Sequence, residues 1–206
     1  MRIEDILSLA PVLPVVTIDD PAKAAPLARA LVAGGLRAME ITLRTPAALE
    51  AVRIIAREVP DALPGVGTVL TAADLEASAA AGARFAVSPG ATPALLAAAR
   101  VASLPYLPAI ATASELMAAL EAGFQVCKFF PASASGGVAA LKAFAGPFAQ
   151  VRFNPTGGID AATAPSYLAL GNVISVGGSW VTPTDAIARG DFALIEALAR
   201  DASRLR

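Results

Sequence analysis

The chain has 206 residues, 56% hydrophobic and 16% charged, with 16 Lys and Arg against 17 Asp and Glu. This length suits a single domain over residues 1–206, the apolar share excludes disorder, and a net charge of −1 provides no basic field for nucleic acid. With no histidine and one cysteine, His triads, His metal ligands, Cys metal clusters and an internal disulfide are all excluded, and a reducing compartment is implied.

The opening MRIEDILSLAP is acidic and has no long apolar run, so no secretory leader is expected. Residues 2–9 are expected to form a helix. Strands are then expected over 12–18, 37–43, 63–66, 84–88, 106–110, 125–130, 151–156 and 173–177. Helices are expected between them, near 20–33, 46–58, 71–81, 92–102, 112–122, 137–145, 161–170 and 190–204. The longest charge-free stretch, 161–184, is broken by Pro165, Gly171, Asn172, Gly177, Gly178 and Pro183, so no membrane span is expected and the location should be cytoplasmic.

The joints fit this alternation. Gly34-Gly35, Gly82, Gly123 and Gly171 sit where helices should end. Thr45-Pro46, Thr71, Thr92-Pro93 and Thr112 read as N-caps, whereas Ser114-Glu115 does not have clean capping-box spacing. Eight even strand–helix units point to an α/β chain folded as one closed (β/α)8 TIM barrel, with the extra N-terminal helix covering one end. An open doubly wound sheet is the competing architecture. The barrel is preferred because polar residues fall at the carboxyl ends of many strands rather than at one switch point.

Alternate strand residues face opposite sides, and helices demand an apolar outer face. In the second strand Met39, Ile41 and Leu43 form the apolar set, leaving Glu40, Thr42 and Arg44 inside. A buried carboxylate must be paired, hydrated or functional. The plain alternative is a Glu40–Arg44 ion pair at the rim. In the sixth strand Cys127 and Phe129 face the helices, which places Lys128 inside, and the chain has only two other lysines, Lys23 and Lys142. The plain alternative for Lys128 is a buried pair with Glu40 and nothing more. In water roughly 4 lysine side chains in 10,000 are free amine at neutral pH. Removal from water disfavours the charged form, and a free amine attacks a carbonyl to form a Schiff base. Cys127 would be a bystander.

Gly157-Gly158 ends the seventh strand and Gly177-Gly178-Ser179 the eighth, a pattern suited to phosphate. Gly136-Gly137 reads as a loop leading into a helix. Gly65-Val66-Gly67-Thr68 and Ser88-Pro89-Gly90 keep two further strand ends small.

These residues resemble the class I aldolases that cleave 2-keto-3-deoxy-6-phosphogluconate (KDPG), a family also active on 4-hydroxy-2-oxoglutarate (KHG). The likeness runs through LPVV at 13–16, LVAGGLRAMEITLRTPAAL at 31–49, GVGTVL at 65–70, FAVSPG at 85–90, KFFPAS at 128–133, GGVAALKAFAGPF at 136–148, VRFNPTGGI at 151–159 and GGSW at 177–180. It implies a (β/α)8 homotrimer without cofactor or metal. It puts the Schiff-base lysine at Lys128, the acid/base glutamate at Glu40 and the substrate carboxylate on Arg44 and Thr68. Pro89, Phe130 and Thr156 would line the pyruvate end, and Gly157, Gly158, Gly178 and Ser179 would hold phosphate. The implied partners are a phosphorylated keto acid, pyruvate and glyceraldehyde 3-phosphate. The chain departs from the family pattern at Ser133, where glutamate is common, at Ala109–Thr112 and at Asn154, where cysteine is frequent. Two other readings of the same residues are a phosphosugar isomerase or epimerase using Glu40, and a non-catalytic phosphosugar-binding protein.

Overall fold

A computed structural model of the chain describes residues 1–205. Helix α1 (Ile3–Leu7) precedes β1 (Val12–Val16). There follow α2 (Ala24–Ala33), β2 (Ala38–Thr42), α3 (Ala48–Glu58), β3 (Leu63–Gly67), α4 (Ala72–Ala80), β4 (Phe85–Val87), α5 (Pro93–Val101), β5 (Tyr106–Leu107) and β6 (Ala109–Ile110). The chain continues through α6 (Ala113–Glu121), β7 (Val126–Phe129), α7 (Gly137–Phe144), β8 (Arg152–Pro155), α8 (Ala164–Leu168), β9 (Val176–Gly178), α9 (Thr184–Arg189) and α10 (Phe192–Ala202). No described helix is long and apolar enough to cross a membrane.

The sheet corrects the sequence expectation. The strands do not make one closed eight-stranded barrel. They form a six-stranded parallel sheet, ordered β5-β4-β3-β2-β1-β9, and a small three-stranded parallel sheet, ordered β6-β7-β8. The break falls inside the expected fifth strand, at Pro108. Proline has no N–H to give a ladder, so Tyr106–Leu107 ends one sheet and Ala109–Ile110 begins the other. At the other seam, β8 meets the chain around β9 only through the isolated bridges Phe153↔Val173 and Thr156↔Gly177. The six-stranded order has no reversal either, so it is not a doubly wound sheet.

Strand alternation sorts the core into two parts. Met39 and Ile41 of β2, with Cys127 and Phe129 of β7, join the large apolar cluster that packs the helices. The opposite faces supply Leu13, Ala38, Leu63, Phe85, Val87 and Leu107, joined by Ile174 and by Ile6 and Leu7 of α1. The amino-terminal end of the inner space is thus filled with hydrocarbon and plugged by the first helix. Burying a side chain such as Phe85 contributes about 1.5–3 kcal/mol. The buried polar side chains Glu40, Thr42, Lys128 and Thr156 lie from the middle of the strands to their carboxyl ends.

Helix starts follow local chemistry. The hydroxyls of Thr71, Thr92 and Thr112 accept from the N–H of Asp74, Leu95 and Glu115. Thr112 does form a full capping box with Glu115, a Thr-x-x-Glu spacing that the Ser114-Glu115 reading overlooked. Backbone N–H groups, that of Ala111 foremost, hold the Glu115 carboxyl below the usual carboxylate range. We expect Thr112→Ala to cost about 1 kcal/mol in denaturant unfolding with no change in the slope of the transition. Thr45 is not a cap: its hydroxyl donates to the Ile18 carbonyl, and α3 begins after Ala47 with no side-chain cap. Gly35, Gly82 and Gly123 close helices in the left-handed region, while Gly171 does not.

Candidate active site

Glu40 lies at the centre of β2 and Lys128 in β7, on strands of different sheets, and their side chains meet in the space between. Lys128 Nζ donates to Glu40 Oε1 at 3.0 Å and Oε2 at 3.2 Å. Both are buried, at 4% and 1% exposure, a burial that charged groups reach only when paired. The Glu40–Arg44 alternative is not what forms: Arg44 is exposed, in the turn after β2, and has no ion pair among the described residues. The Lys128 ammonium also lies 5.3 Å from the centroid of the Phe130 ring.

The room for this pair comes from Gly67 at the end of β3. A Cβ on Gly67 would lie 2.2 Å from Glu40 Oε1 and 2.5 Å from its Cγ. Glycine is therefore required there by the carboxylate itself, a signal hidden in the sequence because it depends on cross-strand register. Below the pair, the Phe85 ring occupies the space over Gly65, the register partner of Glu40.

The other sequence-predicted residues lie at or just beyond the carboxyl ends of their strands. Thr68 follows β3 with φ of 61°, a left-handed conformation that a β-branched residue adopts only when its surroundings hold it there, at a cost of about 1–3 kcal/mol. Pro89 follows β4 and is half-buried, as is Phe130 after β7. Thr42 donates to the Val16 carbonyl at 3.0 Å and lies 3.1 Å from the Thr17 hydroxyl, stitching β1 to β2 above Glu40.

Gly157 and Gly158 follow β8. Their loop is tied to the segment after β7, where Ser133 donates its hydroxyl to the Gly158 carbonyl at 2.7 Å and its N–H to the Gly157 carbonyl at 3.0 Å. The N–H groups of Gly158 and Ser179 have no acceptor among the described residues. Gly178 is covered by the Trp180 ring, which a Cβ there would strike at 1.9 Å. The two glycine pairs thus sit at neighbouring strand ends, linked by the Thr156↔Gly177 bridge.

Sequence reasoning missed one part of the interior. Asn154 and Ser175 are fully buried and hydrogen-bonded to each other, and Asn154 also accepts from the Thr156 hydroxyl. In the sequence Asn154 stands out only as a departure from a family pattern. Cys127 faces the helices, where burial pushes its thiol up to about 12, so it is inert at neutral pH. Tyr106, also pushed up to about 12 by burial, against the opposing effect of its hydrogen bond with Ser88, belongs to the same helix-side core.

No group of three or more His, Cys, Asp or Glu that could hold a metal ion is found among the described residues. The arrangement instead offers a buried amine against a carboxylate, below a rim of small and polar strand ends. An amine can attack a carbonyl there while the carboxylate moves protons.

Comparison with known proteins agrees along the whole chain. The family model "Aldolase: KDPG and KHG aldolase" matches residues 3–198. The 2-dehydro-3-deoxy-phosphogluconate aldolase of Dickeya dadantii is 53% identical over 199 residues, covering 97% of this chain and 93% of that protein. Among solved structures, the KDPG aldolase of Legionella pneumophila, with pyruvate captured at low pH as a covalent carbinolamine intermediate, superposes with a TM-score of 0.97 at 45% identity, covering 98% of each chain. The aldolase of Zymomonas mobilis ZM4 with 3-phosphoglycerate gives a TM-score of 0.95 at 49% identity, over 100% of this chain and 97% of that one. By sequence and by fold alike, the chain belongs to the KDPG and KHG aldolase family.

Proposed function

We propose that Lys128 and Glu40 carry the chemistry of this aldolase. The chain is a class I carbon–carbon lyase that reversibly cleaves 2-dehydro-3-deoxy-6-phosphogluconate to pyruvate and glyceraldehyde 3-phosphate through a lysine Schiff base. The observation that carries the residue assignment is the buried pair, Nζ to Oε1 at 3.0 Å, at the centre of the two sheets.

Glu40 takes a proton from Lys128, and the freed amine attacks the C2 ketone to give a carbinolamine. Glu40 returns the proton to the C2 hydroxyl, which leaves as water, and a protonated imine remains. That cation draws in the C3–C4 bonding electrons as Glu40, directly or through a water, removes the C4 hydroxyl proton. The aldehyde departs and an enamine is left. Protonation at C3 and addition of water then release pyruvate and restore the amine. The iminium supplies the polarisation that a metal ion gives elsewhere.

Arg44 and Thr68 hold the substrate carboxylate, with the guanidinium suited to its planar geometry. Pro89, Phe130 and Thr156 line the amine. Gly157, Gly158, Gly178 and Ser179 hold the phosphate, a role supported by the acceptor-free N–H groups of Gly158 and Ser179. The reading includes a cytoplasmic homotrimer, which sedimentation of the purified chain tests.

Borohydride reduction in the presence of pyruvate, followed by peptide mass spectrometry, tests the assignment. We expect one reduced pyruvyl adduct, on Lys128. An adduct on Lys23 or Lys142, or none, overturns it. Gly67→Ala probes the clearance: a methyl group that would stand 2.2 Å from Glu40 Oε1 forces the carboxylate aside. We expect cleavage to fall on the order of 100-fold while the circular dichroism spectrum is retained.

A further inference from the structure

Asn154 of β8 is in register with Lys128 of β7, so the two side chains leave neighbouring strands on one face. The amide is fully buried. Its Nδ2 donates to Ser175 Oγ at 2.9 Å, and its Oδ1 accepts from Thr156 Oγ1 at 3.1 Å. Ser175 is fully buried too, and Thr156 is 6% exposed. A polar chain in such a place is costly unless each member is satisfied, and this one runs from Ser175 through Asn154 to end at Thr156. The Thr156 hydroxyl is seated against Gly177, whose absent Cβ would fall 2.1 Å from Oγ1. Two residues beyond Asn154 on the same strand face, Thr156 stands one layer above Lys128 and immediately before Gly157-Gly158. Along the strand it stands between the position in register with Lys128 and the Gly157-Gly158 loop.

We infer that Asn154, backed by Ser175, is a positioning residue for carbon–carbon cleavage: by accepting a hydrogen bond from the Thr156 hydroxyl it turns the lone pairs of Thr156 Oγ1 toward the middle of the phosphorylated keto acid, and it acts only through that oxygen. The inference rests on the assignment of Lys128 and of the phosphate loop given above. It separates two stages of the reaction. Pyruvate has no C4 hydroxyl, so its capture by Lys128 uses Thr156 only as part of the wall beside the amine and does not need the orientation that Asn154 gives to the Thr156 oxygen. Breaking the C3–C4 bond of the full substrate does.

The test uses the full chain and the variants Asn154→Leu, Ser175→Ala, Thr156→Val and Asn154→Leu/Thr156→Val. Each is assayed for steady-state cleavage and for the rate of borohydride trapping with pyruvate. We expect Asn154→Leu to lower kcat for cleavage on the order of 10- to 100-fold while pyruvate trapping stays within about twofold of the unaltered chain. The double variant should be no slower than Thr156→Val alone, because a residue acting through Thr156 has nothing left to act on. Full cleavage activity in Asn154→Leu, losses that multiply in the double variant, or an equal loss of trapping would each overturn the inference, the last by reducing Asn154 to a structural support. If Asn154→Leu does not fold, Ser175→Ala and its combination with Thr156→Val are judged by the same criteria. Failure of the unaltered chain to trap pyruvate removes the assignment of Lys128 and this inference with it; normal trapping with uncoupled variants removes the inference alone.

Discussion

Lys128→Ala abolishes aldol cleavage, with kcat/KM falling roughly 10^4- to 10^6-fold, the scale of loss when a covalent nucleophile is deleted. The borohydride adduct with pyruvate disappears with it, since neither remaining lysine is in the interior: Lys142 is exposed on α7, and Lys23 lies before α2, 3.7 Å from the position a Cβ on Gly190 would take. The substitution also strands a carboxylate. Glu40 is 1% exposed, and Lys128 is its only cationic partner among the described residues. Breaking a buried pair by removing one member costs about 3–5 kcal/mol, a fall in Tm of roughly 10 °C for a chain of this size. Lost activity alone would therefore be ambiguous. The double variant Lys128→Met/Glu40→Gln separates the effects: removing both charges restores most of the stability, because a neutral pair of similar volume has no stranded ion, yet cleavage stays absent. Recovery of cleavage in the double variant, or a pyruvate adduct in Lys128→Ala, would place the nucleophile elsewhere.

Which parts of this structure were legible in the sequence follows from the range of each signal. Strand alternation is local: Met39 and Ile41 against Glu40, or Cys127 and Phe129 against Lys128, can be sorted with no knowledge of neighbouring strands, and the two resulting faces are those seen. Helix caps are local as well, although the Thr45 hydroxyl was won by the Ile18 carbonyl, a partner 27 residues away that no window reveals. The continuity of the sheet is not a local property. Pro108 stood inside an expected strand of apolar residues, and the missing N–H was a readable warning that the ladder would part there. The even strand–helix rhythm outweighed it, and the closed eight-stranded expectation failed at that residue. Gly67 and the Asn154–Ser175 contact share a different limit. Each depends on which residue faces which across strands, and the sequence gives residue types without register.

Glu40→Gln is the substitution that decides what the carboxylate does, because two roles predict changes of opposite sign. Glutamine keeps the volume and can still accept from Lys128 Nζ, so the fold is retained, although the buried lysine loses its only counter-charge among the described residues and Tm falls by up to roughly 10 °C. Were Glu40 only a counter-ion, the ion pair at 3.0 Å would hold the amine back from the carbonyl, and removing the carboxylate would speed attack on pyruvate. As the group that carries protons, Glu40 is needed to deprotonate the amine, to expel water from the carbinolamine and to take the C4 hydroxyl proton. Its loss then slows every stage, and we expect kcat for cleavage to fall about 10²- to 10⁴-fold, the usual worth of a positioned acid–base group. Pyruvate trapping should become slower without being abolished, since Lys128 is still present. Exchange of the pyruvate methyl protons with deuterated solvent, followed by NMR, isolates the enamine stage from aldehyde release, and it too should slow. Faster trapping with unimpaired methyl exchange would assign Glu40 the passive role. Slower trapping and slower exchange together make the buried pair the proton path of the enzyme, with the nucleophile and the base it needs held 3.0 Å apart before substrate arrives.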